Sequence, residues 1–251
     1  MKSKRNAAGL LILCFLVCQP LFTRGQSLRS HAKSYPRYLT NGAVEVVSDI
    51  TSQVILGAAA VSVIALHRYD WAVRDYSQDN GLMANELSHR LDKYGGGWAY
   101  PALLLGVGLE SMGRDDAAAR VKYAFTSLAV TGLSTDLIKR ASARHRPDGS
   151  DARSFPSGHT SGSFAVAAVV DELYGHWLGY PAYVVAALVG AHRIHADKHW
   201  LTDVIAGAAL GTVIGRGFSI VYREEAVNDQ IGVVPWATNR TVSFRIIIPI
   251  N

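Results

Sequence analysis

The chain has 251 residues, 49% of them apolar and 18% charged, with a formal net charge of +5. That is enough apolar material for one well-buried domain. The first 25 residues hold Lys2, Lys4, Arg5 and Arg24 and no acid, so beyond them 21 basic side chains face 20 acidic ones, and a basic nucleic-acid-binding surface is excluded. Both cysteines, Cys14 and Cys18, also lie in that stretch, which leaves the remainder without thiol or disulfide chemistry.

In chain order, residues 1–25 read as an export signal: a basic start, the apolar run Ala7 to Val17, and small residues around Thr23-Arg24-Gly25. Location in the periplasm or the cell-envelope membrane is the expectation. Residues 26–222 follow as one helical domain. Six apolar segments carry helical character: Ile50 to Leu66, Trp98 to Glu110, Tyr123 to Lys139, Thr160 to Tyr174, Leu178 to His192, and His199 to Phe218. Gly, Pro and charge clusters such as Lys93-Tyr94-Gly95-Gly96-Gly97 and Pro147-Asp148-Gly149-Ser150 separate them. Between the first two, Asp70 to Tyr76 forms an amphipathic helix with aromatic anchors, suited to lie on a membrane or to cap the bundle. In the last segment Asp203, Gly207, Gly211 and Gly215 recur every four residues, a stripe on which another helix packs closely. Residues 223–251 change character, and Val233-Val234 with Thr241 to Ile246 read as a hairpin that must dock to be stable.

A spanning helix needs about 20 mostly apolar residues. The uninterrupted runs are shorter, 13 residues from Val54 to Leu66 and 14 from Leu178 to Ala191, so the sequence leaves membrane embedding open.

Three clusters carry chemistry: Lys139-x6-Arg146-Pro147, Pro156-Ser157-Gly158-His159, and Arg193-x5-His199-x3-Asp203. A phosphoryl group demands cations for its peripheral oxygens, a nucleophile in line and an acid for the leaving group. Lys139, Arg146 and Arg193 supply the cations, two of them as planar forks that match phosphate. Ser157 and Gly158 open a helix whose free N–H groups suit an anion, with His159 beside them. His199 and Asp203, read as i, i+4 on a helix, place the carboxylate on the imidazole's own face and leave the other ring nitrogen free to attack.

These blocks resemble, in order and spacing, the phosphatidic acid phosphatase type 2 / vanadium haloperoxidase superfamily, with one departure: His192 stands where the pattern has serine. The resemblance implies an all-α six-helix bundle of that type, with the C-terminal hairpin appended. It implies a phosphatase in which His199 forms a phosphohistidine, Asp203 orients it, and His159 serves as acid and then base. Lys139, Arg146, Ser157, Gly158 and Arg193 would bind the phosphate, and His192 would alter one secondary contact. The expected substrate is a phosphomonoester or pyrophosphate, lipid-linked and met at a membrane, with no cofactor and no metal. Alternatives are a soluble periplasmic acid phosphatase of broad specificity, a vanadate-dependent haloperoxidase, and a non-catalytic envelope protein. Two blander readings concern single residues. Arg144, Arg146 and Arg153 could form a solvated basic stretch, and His195 with His199 has the spacing of a zinc pair, although Lys198 opposes a divalent cation.

Overall fold

The computed structural model describes residues 28–114, 116–230, 232–238 and 241–247; the expected export signal lies outside them. Helix α1 spans Leu28–Ser48 and α2 Ile50–Leu66; the 3-10 turn His67–Tyr69 leads into α3, Asp70–Asn80. Helix α4 covers Asn85–Lys93, and a π turn at Tyr94–Trp98 joins it to α5, Ala99–Glu110. The long helices follow: α6 Ala117–Ser142, α7 Gly158–Tyr174, α8 His176–His195 and α9 Leu201–Gln230.

Each of the six apolar segments holds a helix, the last beginning only at Leu201, and α9 continues past the expected boundary at 222. The expectation of a six-helix bundle falls short: α3 is the amphipathic helix expected at Asp70 to Tyr76, and α1 and α4 are additional. Polar residues, and Pro36 in α1, break up the apolar runs of those two. After α9, Gly232–Thr238 and Thr241–Ile247 run as antiparallel strands with Val233 opposite Ile246. The expected docking of that segment lies outside the described side chains.

The core forms where α9 meets α7, α6 and α1. Val107, Leu128, Val166, Val169, Val213, Ile214 and Phe218 are all buried there, each such side chain contributing roughly 1.5–3 kcal/mol. Tyr38 of α1 lies against Phe218 and reaches its carbonyl, while Tyr123 of α6 donates to Gly215 O at 3.1 Å. The glycine stripe of α9 is the seam with α7. A Cβ on Gly207 would stand 2.7 Å from Ser157 O, and one on Gly211 would meet the α7 backbone at Ser161 and Ala165. The two helices therefore pack backbone to backbone, which fixes the start of α7 against the start of α9.

Ile50 to Asn80 is in effect one rod of 31 residues, longer than its apolar run because the helix also takes in Thr51 to Gln53 and continues beyond Leu66. It is long and apolar enough to cross a membrane, and its apolar stretch is almost wholly exposed. Leu201–Glu225 also meets that standard, with about half of it buried. Leu105 and Leu109 of α5, Leu133 and Leu137 of α6, and Val184 and Leu188 of α8 are exposed as well. An apolar surface of this extent is costly in water. The protein has a membrane or envelope-associated location.

Candidate active site

The end of α6, the start of α7, the end of α8 and the start of α9 meet at one end of the bundle, and all three sequence clusters lie there. Lys139, in the last turn of α6, donates from Nζ to Arg153 O at 2.6 Å and to Ser154 O at 3.3 Å. These bonds tie the following loop down onto the helix. Gly158 opens α7 beside it, so that an added Cβ would lie 3.6 Å from Lys139 Cε. Ser157, fully buried, is the N-cap; its N–H donates to Asp203 O at 2.9 Å, and its hydroxyl accepts from Thr160.

His199 is not on a helix, which corrects the sequence expectation. Helix α8 ends at His195, Asp197 takes a left-handed φ of 55°, and the N–H groups of Lys198 and His199 both turn back to Arg193 O. Helix α9 starts only at Leu201. The pair still forms, because Asp203 in the first turn folds back toward the loop and accepts the Trp200 N–H at 2.9 Å, the carboxylate half of a capping box. His199 Nδ1 then lies 3.6 Å from Asp203 Oδ2 and 3.5 Å from Ser154 Oγ. With Nδ1 turned to those acceptors, Nε2 is the nitrogen left for other chemistry. The break in the helix also removes the zinc-pair spacing: His195 Nδ1 instead accepts the Leu82 N–H. Among the described residues no three His, Cys, Asp or Glu side chains gather as a metal set.

Asp203 is fully buried and its oxygens are well occupied. Ser154 and the Trp200 N–H donate to Oδ2, and Arg144 donates to Oδ1 at 2.7 Å. Arg144 also reaches Asp70 at 2.7 Å, and Asp70 accepts from Thr202 N–H and hydroxyl. The amphipathic helix α3 thus caps the bundle. Its Asp70 anchors the start of α9, Trp71 packs edge-on against Trp200, and Arg74 pairs with Asp197 at 2.7 Å. Arg144, Ser154 and Asp70 were not singled out from the sequence as site residues. Arg144 looked like one charge in a basic loop, and its acids come from positions 59 and 74 residues away.

Arg146 donates to Asp151 at 2.7 Å and to Lys198 O at 3.3 Å. It lies within electrostatic reach of both Lys139 and Arg193. Arg193, 6% exposed, gives Nη1 to Asp92 of α4 at 2.5 Å. His192 is buried beside it, with Nδ1 3.1 Å from Ser88 Oγ and Nε2 3.3 Å from Asp92. The residue that departs from the family pattern therefore faces α4. His159 Nε2 lies 3.6 Å from the same Asp92 oxygen. His159, His192, Arg193, Lys198, Ser88 and Asp92 border one cavity of about 580 Å³.

Burial, and then the charge of Arg193, pushes the His159 imidazole down to about 3, against the pull of Asp92. Burial likewise pushes His199 down to about 4, with Lys139 and Arg193 adding to the fall and Asp203 opposing it. Both rings are therefore neutral near pH 7, with the charge of Arg193 acting on both and that of Lys139 on His199. Cations so placed favour an anion, and a dianion brought in would favour protonation of the nearer imidazole.

Residues 120–226 match the PAP2 superfamily. The chain is 40% identical over 92 residues to a lipid A 1-phosphatase of Porphyromonas gingivalis, an alignment covering 36% of this chain and 21% of that protein. It is 35% identical over 116 residues to a lipid A 1-phosphatase of Rhizobium etli, covering 40% of this chain and 49% of that one. Against a probable lipid phosphate phosphatase 4 of Arabidopsis thaliana the identity is 30%, over 47% of this chain and 52% of the other. The chain thus spans about half the length, or less, of the curated relatives it matches. In fold it is similar to the crystal structure of a transmembrane PAP2-type phosphatidylglycerolphosphate phosphatase from Bacillus subtilis, with a TM-score of 0.55, 19% identity, and coverage of 68% of this chain and 94% of that one.

Proposed function

Because residues 120–226 are a PAP2-superfamily domain, we propose that the protein is a metal-independent phosphatase that hydrolyses a lipid-linked phosphomonoester or pyrophosphate through a phosphohistidine. The observation that carries this reading is a buried, neutral His199 backed by a fully occupied Asp203 and lying within electrostatic reach of His159, Arg193 and Lys139. Arg146, Arg193, Lys139 and the N–H groups at the start of α7 hold the three peripheral oxygens, a charge complement that in other folds a metal supplies. His199 Nε2 attacks phosphorus in line as the P–O bond to the leaving group breaks. The imidazolium of His159 gives its proton to the departing oxygen. Neutral His159 then takes a proton from water, whose oxygen attacks the phosphohistidine; the P–N bond breaks and inorganic phosphate leaves. Throughout, Asp203 and Ser154 hold the His199 ring and stabilise its charged form.

The lipid-linked substrate is supported by the names of the relatives and by the exposed apolar helices around the site-bearing bundle. The test is phosphate release by detergent-purified protein from a panel of lipid and soluble phosphate esters, in EDTA. Release from the lipid esters that disappears in His199→Ala is the expected result. Unchanged release in that variant, or strict dependence on added metal, refutes the mechanism, and a preference for soluble esters refutes the substrate class.

A further inference from the structure

Helix α4 lies over the cavity and presents Ser88 and Asp92, four residues apart, to it. Asp92 comes from outside the matched domain, yet its carboxylate is set among three groups of the site: Arg193 Nη1 at 2.5 Å, His192 Nε2 at 3.3 Å and His159 Nε2 at 3.6 Å. The nearest partner is the cation expected to hold phosphate. The buried Nε of that same arginine has no hydrogen-bond partner among the described residues, so the guanidinium is only partly used by the carboxylate. A tetrahedral oxyanion would engage the fork on two sides.

Asp92 is not locked in place by burial. Its side chain is 54% exposed, unlike Asp203, and its helix has glycines on both sides. Gly81 precedes α4 with φ of 63°, and Gly97 follows in the π turn with φ of 132°. Gly95 in that turn lies directly against the His159 ring, where an added Cβ would stand 3.1 Å from Cδ2, so displacement of α4 is felt at the acid itself.

Resting on the phosphatase reading, we propose that Asp92 is an internal ligand of the phosphate-binding site, and that substrate phosphate binds by displacing its carboxylate from Arg193. The exchange favours dianions. A terminal phosphomonoester brings two charges and occupies both sides of the fork, whereas a carboxylate or phosphodiester brings one charge and gains little over the resident group. Asp92 therefore weakens every anion's binding and sets a threshold that a terminal phosphate passes most readily.

The experiment is isothermal titration of inorganic phosphate into the detergent-purified full chain as wild type, Asp92→Asn, Asp92→Ala and Arg193→Gln. The expected result is about tenfold tighter phosphate binding in both Asp92 variants and loss of binding in Arg193→Gln. A gain in affinity is not something a merely damaged fold produces. Unchanged or weaker binding in both Asp92 variants, with Arg193→Gln still losing it, overturns the proposal for Asp92 alone. Equal binding in wild type and Arg193→Gln, or none in any form, overturns the phosphate site and this proposal with it.

Discussion

Arg144 holds Asp203 from the side opposite His199: its Nη1 donates to Oδ1 at 2.7 Å while the imidazole faces Oδ2. The same guanidinium binds Asp70, so one arginine of the α6–α7 loop ties the first turn of α9 to helix α3. A charge-assisted hydrogen bond of this kind contributes about 1.5–3 kcal/mol. Arg144→Ala should therefore lower kcat by about 10–100-fold with little change in KM, and Arg144→Lys should recover only part of the loss because lysine lacks the fork. Steady-state kinetics of the two variants settles it; a fall confined to KM would mean that Arg144 meets substrate rather than Asp203.

If His159 protonates the leaving oxygen, its importance must depend on how badly the leaving group needs a proton. His159→Ala should slow an alkyl phosphate by about 10²–10⁴-fold and p-nitrophenyl phosphate, whose leaving group departs unprotonated, much less in its first step. Burst kinetics isolates that step, and equal losses on both substrates would deny His159 the role of acid.

The imidazolium of His159 is disfavoured by burial and by Arg193, down to about 3, and a bound phosphate dianion would favour it. Turnover should consequently decline as pH rises from 6 to 9, since fewer complexes carry the proton. A profile level through pH 9 contradicts this.

Stability has its own pH dependence. His199 is held at about 4 in the folded chain against about 6.5 when unfolded. Between those values the unfolded chain binds more protons, so this group's contribution is complete above pH 6.5 and is lost as the solution is acidified toward 4. The melting temperature in detergent should drop across that window, and His199→Phe, which cannot take up the proton, should flatten the drop. An equally steep drop in the variant assigns it to other groups.

Gly207 and Gly211 leave no room for a side chain against α7. Overpacking of a core typically costs 1–3 kcal/mol, and here the obstacle is backbone. Gly211→Val should abolish the folded protein or lower its melting temperature by several degrees, whereas Gly132→Val, where nothing lies within 4 Å, should be tolerated on that ground. Comparable melting curves for the two would show that the seam can open.

The long helices are legible in the sequence because each carries an apolar run bounded by glycine, proline or charge, and the glycine stripe of α9 declares its partner face before the partner is known. Helix α4 is not legible, since Leu87 and Leu91 are its only apolar residues among nine, too short a pattern to mark it as a wall of the cavity. The meeting of the three motif clusters can be read from their spacing, but the detail around His199 cannot. An i, i+4 pair suggests one continuous helix, while the chain instead reverses at Asp197 and rebuilds the contact through the first turn of α9. The partners of Thr202 and Arg193 are harder still: Asp70 and Asp92 precede the residues they bind by 132 and 101 positions, and local pattern says nothing across such distances.

The rod formed by α2 and α3 changes character at Leu66, and within four residues of that point Asp70 is bonded to Thr202 at the foot of α9. The oily part of the rod is thus joined at a fixed distance to the start of α9, beside His199. On the proposed reading, a substrate with a fatty tail lying along α2 would bring its head to His199 where the rod turns from apolar to polar, its acyl chains moored while the phosphate is released.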